Sequence, residues 1–262
     1  FRAWRQLSAY RRLEMRPAAA HGILPTMAVV VPARNEADTI GRCVASLAAQ
    51  DYPADRVCLI VVDDNSTDGT AAVARAAAAG AARPRIIAAG DLPAGWTGKT
   101  NACWRGSGVL PDAEWLCFID ADVVAHEALL RSAVVTAMQR SLDFLSLEPR
   151  QELVTPWERL VTPAGLFALA FLRDLRLPND PDSAEAVANG QFILVRRAVY
   201  DRIGGHRTVR GAISEDTELA RAAKSAGYRV ALLGAERLAR VRMYRNLPAL
   251  WQGLRKNSTE ML

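Results

Sequence analysis

The chain has 262 residues, 50% of them hydrophobic, enough for one large α/β domain or two small ones. Its 33 basic and 28 acidic residues leave a formal charge of +5, too mild to argue for nucleic acid as a partner. Cys43, Cys58, Cys103 and Cys117 form no CxxC pair and fall in apolar runs, which reads as reduced core thiols in a reducing compartment and excludes a zinc site.

Phe1 to Pro17 sets Arg2, Arg5, Arg11, Arg12 and Arg16 among Phe1, Trp4, Leu7, Tyr10 and Leu13. The near-helical spacing reads as an interfacial helix on an anionic membrane, or as an ordinary surface helix or linker. After Pro25 strands and helices alternate. Ala28 to Val31 reads as a strand, Ala37 to Ala49 as a helix, Val57 to Val62 as a strand and Gly69 to Ala79 as a helix. Arg85 to Ala88 is a third strand, Lys99 to Gly108 a third helix, and Trp115 to Ile119 a fourth strand. This alternation predicts a parallel sheet covered by helices on both faces. Further on, Asp143 to Leu147 reads as a strand. Trp157 to Leu172 is apolar on nearly every face yet shorter than a membrane span, which fits a buried helix or one resting on a bilayer. Leu177 to Glu185 reads as a loop, Gln191 to Val195 as a strand, Asp216 to Gly227 as a helix, Arg229 to Leu233 as a strand, and Met243 to Leu262 as helical. Neither a secretory signal nor a full membrane span is legible. The chain opens on Phe1 and stops at Leu262 without a helix stop signal, so both ends read as cut.

Five short segments carry chemistry. Pro32-Ala33-Arg34-Asn35-Glu36 is a turn at a strand's carboxyl end, able to present backbone groups and Arg34 to a nucleotide or simply to join strand and helix. Asp63-Asp64 closes the next strand; adjacent acids there need donors, which a base imide and a ribose hydroxyl supply. In Gly95-Trp96-Thr97-Gly98-Lys99 a lysine sits at a helix start, a place that already attracts anions. The spacing of the glycines is not that of a P-loop. Asp120-Ala121-Asp122 follows a buried strand, at the end of the sheet where open α/β folds bind ligands. Its carboxylates suit Mg²⁺ or Mn²⁺ with a phosphate, or a helix N-cap. In the second half Ser214-Glu215-Asp216 opens a helix and offers a carboxylate as general base.

In this order the segments resemble the family-2 glycosyltransferases, over about Ala28 to Asn257. The resemblance implies the α/β GT-A (nucleotide-diphospho-sugar transferase) fold, with a central mostly parallel sheet and helices on both faces. It implies that Pro32, Ala33, Arg34, Glu36, Asp63 and Asp64 hold the nucleoside and that Lys99 assists at the diphosphate. Asp120, Ala121 and Asp122 would hold the diphosphate, with Mg²⁺ or Mn²⁺ on Asp122 and Asp120. The base would come from Glu215-Asp216, with Asp216 the better fit. The Gly95–Lys99 element looks like that of members linked to hopanoid, carotenoid and other lipid glycosylation. From that follow the remaining expectations: a UDP-sugar donor, a lipid acceptor, a membrane surface as partner, and a place on the cytoplasmic face of the inner (plasma) membrane. Residues 1–25 would be a basic amphipathic segment. Residues 26–240 would be the catalytic domain, split into a donor half (26–124) and an acceptor half (125–240). Residues 241–262 would be an interfacial helix continuing into membrane helices. The Gln/Arg-x-x-Arg-Trp motif of processive synthases is missing; Arg242-Met243-Tyr244-Arg245 stands in its place, which favours a single transfer. The rivals are a nucleotidyltransferase, which would need a glycine-rich loop after the first strand, and a non-catalytic nucleotide-sugar-binding protein.

Overall fold

A computed structural model describes residues 11–16, 23–81, 83–160 and 177–243. The first half runs β1 (Met27–Ala33), α1 (Ile40–Ala48), β2 (Val57–Asp63), α2 (Thr70–Ala77), β3 (Arg85–Ala88), α3 (Gly98–Ser107) and β4 (Trp115–Ile119). Then come β5 (Val123–Ala125), α4 (Leu129–Gln139), β6 (Phe144–Glu148) and β7 (Arg150–Gln151). The described second half holds β8 (Phe192–Arg196), α5 (Arg197–Arg202), α6 (Gly205–Thr208), α7 (Glu215–Ser225), β9 (Val230–Gly234) and β10 (Ala239–Val241).

Seven strands form one sheet in the order β3-β2-β1-β4-β8-β6-β9. All neighbours are parallel except β8, which runs antiparallel to both β4 and β6. The strands are near-continuous apolar runs because both faces are covered. Side chains alternate between the faces: Val29, Val31, Cys117 and Ile119 meet α1 and α4. Ala28, Val30, Leu116 and Phe118 meet α3, α5 and α7. The chain winds outward from β1 through β2 to β3, then returns to place β4 on the other side of β1. That reversal leaves a crevice at the carboxyl ends of β1 and β4, the position where open α/β sheets take ligands.

Gly106 lets α3 lie close on the sheet. A Cβ there would stand 2.4 Å from Val30 Cγ1 and 3.0 Å from Val62 Cγ2. Gly106→Ala is expected to destabilise the fold by about 1–3 kcal/mol through overpacking, read as a lower urea midpoint with an unchanged slope.

The structure corrects several expectations. Residues 11–16 are extended, not helical. Leu13 donates its N–H to Gly234 O at 2.7 Å, Gly234 returns one to Arg11 O at 2.9 Å, and the Leu13 side chain is in the core. β9 is the outer strand of the sheet, and pairing its free edge outweighs the helical spacing. Asn179 covers the same edge, exchanging hydrogen bonds with the backbone of Leu232 at 2.6 and 2.9 Å. The helix expected from Ala37 starts at Ile40, because the Ala37 and Glu36 amides are taken by Asp68 and Thr70. Helix α4 was not expected: Leu129–Ala137 is buried throughout, its polar Arg131, Ser132 and Thr136 included. Nor was the small sheet β5-β10-β7. Residues 1–10, 17–22, most of the apolar run (161–172) and the tail 244–262 lie outside the described residues. No described helix is long and apolar enough to cross a membrane.

Candidate active site

The turns after β1 and β2 are fastened to each other. Ser66 Oγ accepts the Asn35 amide at 3.0 Å, Asn35 Oδ1 accepts the Thr67 amide at 2.9 Å, and Asp68 Oδ2 accepts the Ala37 amide at 3.0 Å. Asn35 and Asn65 adopt left-handed backbone, with φ of 55° each, which asparagine tolerates better than most residues. The fastening sets Arg34 over Asp64, Nη1 to Oδ2 at 3.4 Å. Asp64 is buried, and its carboxylate packs where a Gly98 side chain would begin: a Cβ there would lie 2.1 Å from Oδ2. Beside it, Asp63 Oδ1 is buried with no hydrogen-bond partner among the described residues.

α3 starts with a capping box. Thr97 Oγ1 accepts the Thr100 amide and Thr100 Oγ1 accepts the Thr97 amide. The same turn is tied to the second half of the chain, since the Thr97 amide and the Thr100 hydroxyl both donate to Arg210 O, at 2.8 and 2.6 Å. Lys99 thus enters the cleft from a rigid helix start. Its Nζ lies 2.8 Å from Asp120 Oδ1 and 3.0 Å from Glu215 Oε1. Burial works against its charge, but these two carboxylates outweigh that and hold the ammonium well above the usual lysine range. Pro32, Ala33, Arg34, Glu36, Asp64, Gly98, Lys99, Ala102, Asp120, Ala121 and Asp122 line one cleft of about 370 Å³.

Glu215 is buried; burial opposes its charge, yet Lys99 keeps its carboxyl below the usual range. Asp216 differs. Burial, then the neighbouring charge of Glu215, push it up to about 6. Its Oδ2 accepts the Gly190 amide at 2.6 Å, and its Oδ1 accepts the Thr217 amide at 2.8 Å. Asp122 is pushed up to about 7 by burial, then by Asp120 and Glu36. Behind the site His206 is held neutral, its pKa pulled by burial down to about 3; Nδ1 lies 2.9 Å from the Tyr200 hydroxyl.

The structure therefore brings together every residue singled out from the sequence except Asp63 and Asp216 in the one cleft or on Lys99. Asp63 adjoins it at the end of β2, and Asp216 adjoins it across Gly190. Two contacts bear on the expected roles. Lys99, expected beside a diphosphate, is engaged by two carboxylates. Glu215, half of the expected base pair, is consumed in one of those ion pairs. Sequence reasoning missed Gly190 and the Arg210 carbonyl, since backbone groups carry no residue signature.

Among the described residues no group of three or more His, Cys, Asp or Glu is arranged to hold a metal unaided. Mg²⁺ and Mn²⁺ sites at phosphates ask for less, one or two carboxylates completed by phosphate oxygens and water. Asp122 is lifted first by burial and then by the repulsion of Asp120 and Glu36, a repulsion that such a cation would relieve, so the residues present fit it.

A family model described as glycosyltransferase-like family 2 matches residues 25–259. The chain belongs to that family. Among curated proteins it is 29% identical over 229 residues to the 4,4'-diaponeurosporenoate glycosyltransferase of Staphylococcus aureus, covering 83% of this chain and 56% of that protein. The enzyme of the same name from Staphylococcus haemolyticus is 26% identical over 221 residues, 84% of this chain and 57% of that one. The chain thus spans little more than half the length of these relatives. Among solved structures, the mannosyltransferase PcManGT of Pyrobaculum calidifontis, in complex with GDP-Man and Mn²⁺, superposes with a TM-score of 0.67 at 21% identity, over 97% of this chain and 66% of that one. Glucosyl-3-phosphoglycerate synthase of Mycobacterium tuberculosis, with Mn²⁺, UDP and phosphoglyceric acid, gives 0.57 at 23% identity, over 95% and 83%. The fold is accordingly the GT-A fold, with the mostly parallel sheet expected from the strand–helix alternation.

Proposed function

We propose that this family-2 chain is an inverting, metal-dependent hexosyltransferase acting from a nucleotide-diphospho-sugar. The observation that carries the reading is the cleft at the β1/β4 reversal, where Arg34, Asp64, Lys99, Asp120 and Asp122 converge beside an Asp216 carboxyl raised to about 6. A carboxylate titrating there is ionised at neutral pH and basic enough to take a proton. The acceptor hydroxyl gives its proton to Asp216, and its oxygen forms a bond to the anomeric carbon. The bond from that carbon to the diphosphate breaks, and the nucleoside diphosphate leaves with the electron pair. One displacement inverts the anomeric centre. A divalent cation, when bound, would be held by Asp122 with Asp120 and would offset the charge growing on the leaving diphosphate.

UDP is the favoured carrier. Asp63 offers one orphaned buried oxygen, which matches the single imide N–H of uracil. UDP-sugars and GDP-mannose screened by thermal shift with Mn²⁺ test the donor. Stabilisation by UDP-sugars supports this reading, and a preference for GDP-mannose overturns the choice of base.

The acceptor on this reading is an isoprenoid-type lipid, met at the cytoplasmic face of the inner membrane. Support comes from the names of the carotenoid-type relatives and from one face of the structure. Val154, Trp157, Leu160 and Met243 are exposed there, close in sequence to a groove of about 960 Å³ that carries Arg150, Arg159, Arg237 and Arg240. Arginines near an anionic leaflet contribute roughly 1 kcal/mol each. Binding to anionic vesicles is therefore expected to fall about fivefold for each of Arg150→Ser, Arg159→Ser and Arg237→Ser, and to weaken with salt. Cosedimentation measures this. No binding at low salt, together with transfer to a water-soluble acceptor, overturns the lipid reading.

A further inference from the structure

The ammonium of Lys99 stands between the two halves of the site. Asp120, after β4, lies 2.8 Å from it on one side; Glu215, in the first turn of α7, lies 3.0 Å away on the other. The backbone opens to admit it: a Cβ on Gly190 would lie 3.0 Å from Lys99 Nζ and 3.2 Å from Asp216 Oδ2. The capping box and the two hydrogen bonds to Arg210 O fix the helix start that carries Lys99. One cation thus spans the donor motif and the residue next to the proposed base.

We propose that Lys99 is a positioning residue acting through Glu215: it locks that carboxylate to α3 and so sets Asp216 as the proton acceptor. Glu215 is buried and could not keep its charge alone without a large desolvation cost. With Lys99 in place Glu215 is held ionised in the pair, and the adjacent Asp216 carries the basic oxygen. This rests on the assignment of Asp216 as base. The charged and polar groups facing Asp216 are Glu215 and the Thr217 amide on its own helix, Lys99 from α3 and the Gly190 amide from the segment before β8. His206, from α6, acts on Glu215 and is neutral.

The rival role for Lys99, direct contact with the diphosphate, makes a different prediction. If Lys99 acts through Glu215, Lys99→Met and Glu215→Gln each lower kcat by about 10²-fold, the size of a misaligned reacting group, with little change in donor KM. The double variant is then no slower than Glu215→Gln by more than about twofold, because each change breaks the Lys99–Glu215 pair and the proposal assigns the loss of turnover to that pair, not to the Lys99–Asp120 pair. A double variant about tenfold or more below Glu215→Gln, or a loss that falls on donor KM, overturns the proposal. Should Lys99→Met fail to fold with an unpaired Glu215, the comparison of Glu215→Gln with the double variant still decides. A second readout needs no turnover. In metal-free protein labelled with ¹³C-aspartate, the Asp216 carboxyl, assigned by Asp216→Asn, should titrate higher in Lys99→Met and return toward wild type in the double variant. An unmoved titration in Lys99→Met overturns the bridge. A moved titration with no sugar transfer by the wild type retains the bridge and sinks the glycosyltransferase reading instead.

Discussion

Asp216→Asn is expected to lower turnover by about 10²-fold or more while leaving donor affinity within about twofold, the scale of a lost general base that does not touch the donor. The amide keeps nearly the same shape but has one acceptor oxygen for the Gly190 and Thr217 amides that Asp216 accepts, so an unchanged melt is measured alongside to separate the proton from the fold. The pH dependence follows from the carboxyl being raised to about 6 by burial and by Glu215. A base works deprotonated. The rate therefore climbs with pH through about 6 and levels above it, where an ordinary aspartate would already have levelled near 4. Steady-state kinetics between pH 5 and 8 check both. Turnover equal to wild type in Asp216→Asn would move the base to another group.

Asp122→Asn has two opposite effects. Donor binding, tested by the thermal shift with Mn²⁺ and a UDP-sugar, should be largely lost, and excess chelator should do the same to the wild type. In metal-free buffer the variant should instead melt higher than the wild type at pH 8. The sign follows from linkage. Burial, Asp120 and Glu36 raise Asp122 from its ordinary value to about 7, so the folded protein holds a proton there that the unfolded chain releases. The stabilising contribution of that proton is complete below about 4 and is lost as pH rises through about 7. The asparagine variant escapes the loss, so its advantage shrinks as the pH falls toward 5. Donor binding undiminished in chelator would remove the metal from the proposed mechanism. A variant that melts lower at pH 8 would show that Asp122 is structural.

The two experiments separate the site's donor side from its acceptor side. Asp122 is buried among carboxylates that repel it, a repulsion that the proposed cation would relieve. Asp216 lies against Gly190 and beside a Glu215 already tied to Lys99, and needs no ligand to hold it in place. A chain that failed the first test and passed the second would hold its donor as proposed but take its base from another group.

Much of this was legible in the sequence because its causes are local. Strands β1, β2 and β4 are apolar runs closed by charged residues, and a strand buried on both faces cannot look otherwise. The order of the segments placed Arg34, Asp63, Asp64, Asp120 and Asp122 at one end of one sheet, since parallel strands present their carboxyl ends on the same side. Other features depended on contacts between residues far apart in the chain. Leu13 is 221 residues from Gly234, and only the free edge of β9 explains why residues 11–16 are extended. Helix α4 buries even its polar Arg131, Ser132 and Thr136, and the partners of the first two, Asp51 and the Arg16 amide, come from far away in the chain. The roles of Lys99 and Glu215 were set the same way. A lysine at a helix start reads as an anion site, and an acid pair reads as two candidate bases. Folding brings the starts of α3 and α7 within ion-pair reach, so that Lys99 engages Glu215, and the raised pKa of Asp216 arises from burial and a neighbouring charge that exist only in the folded chain.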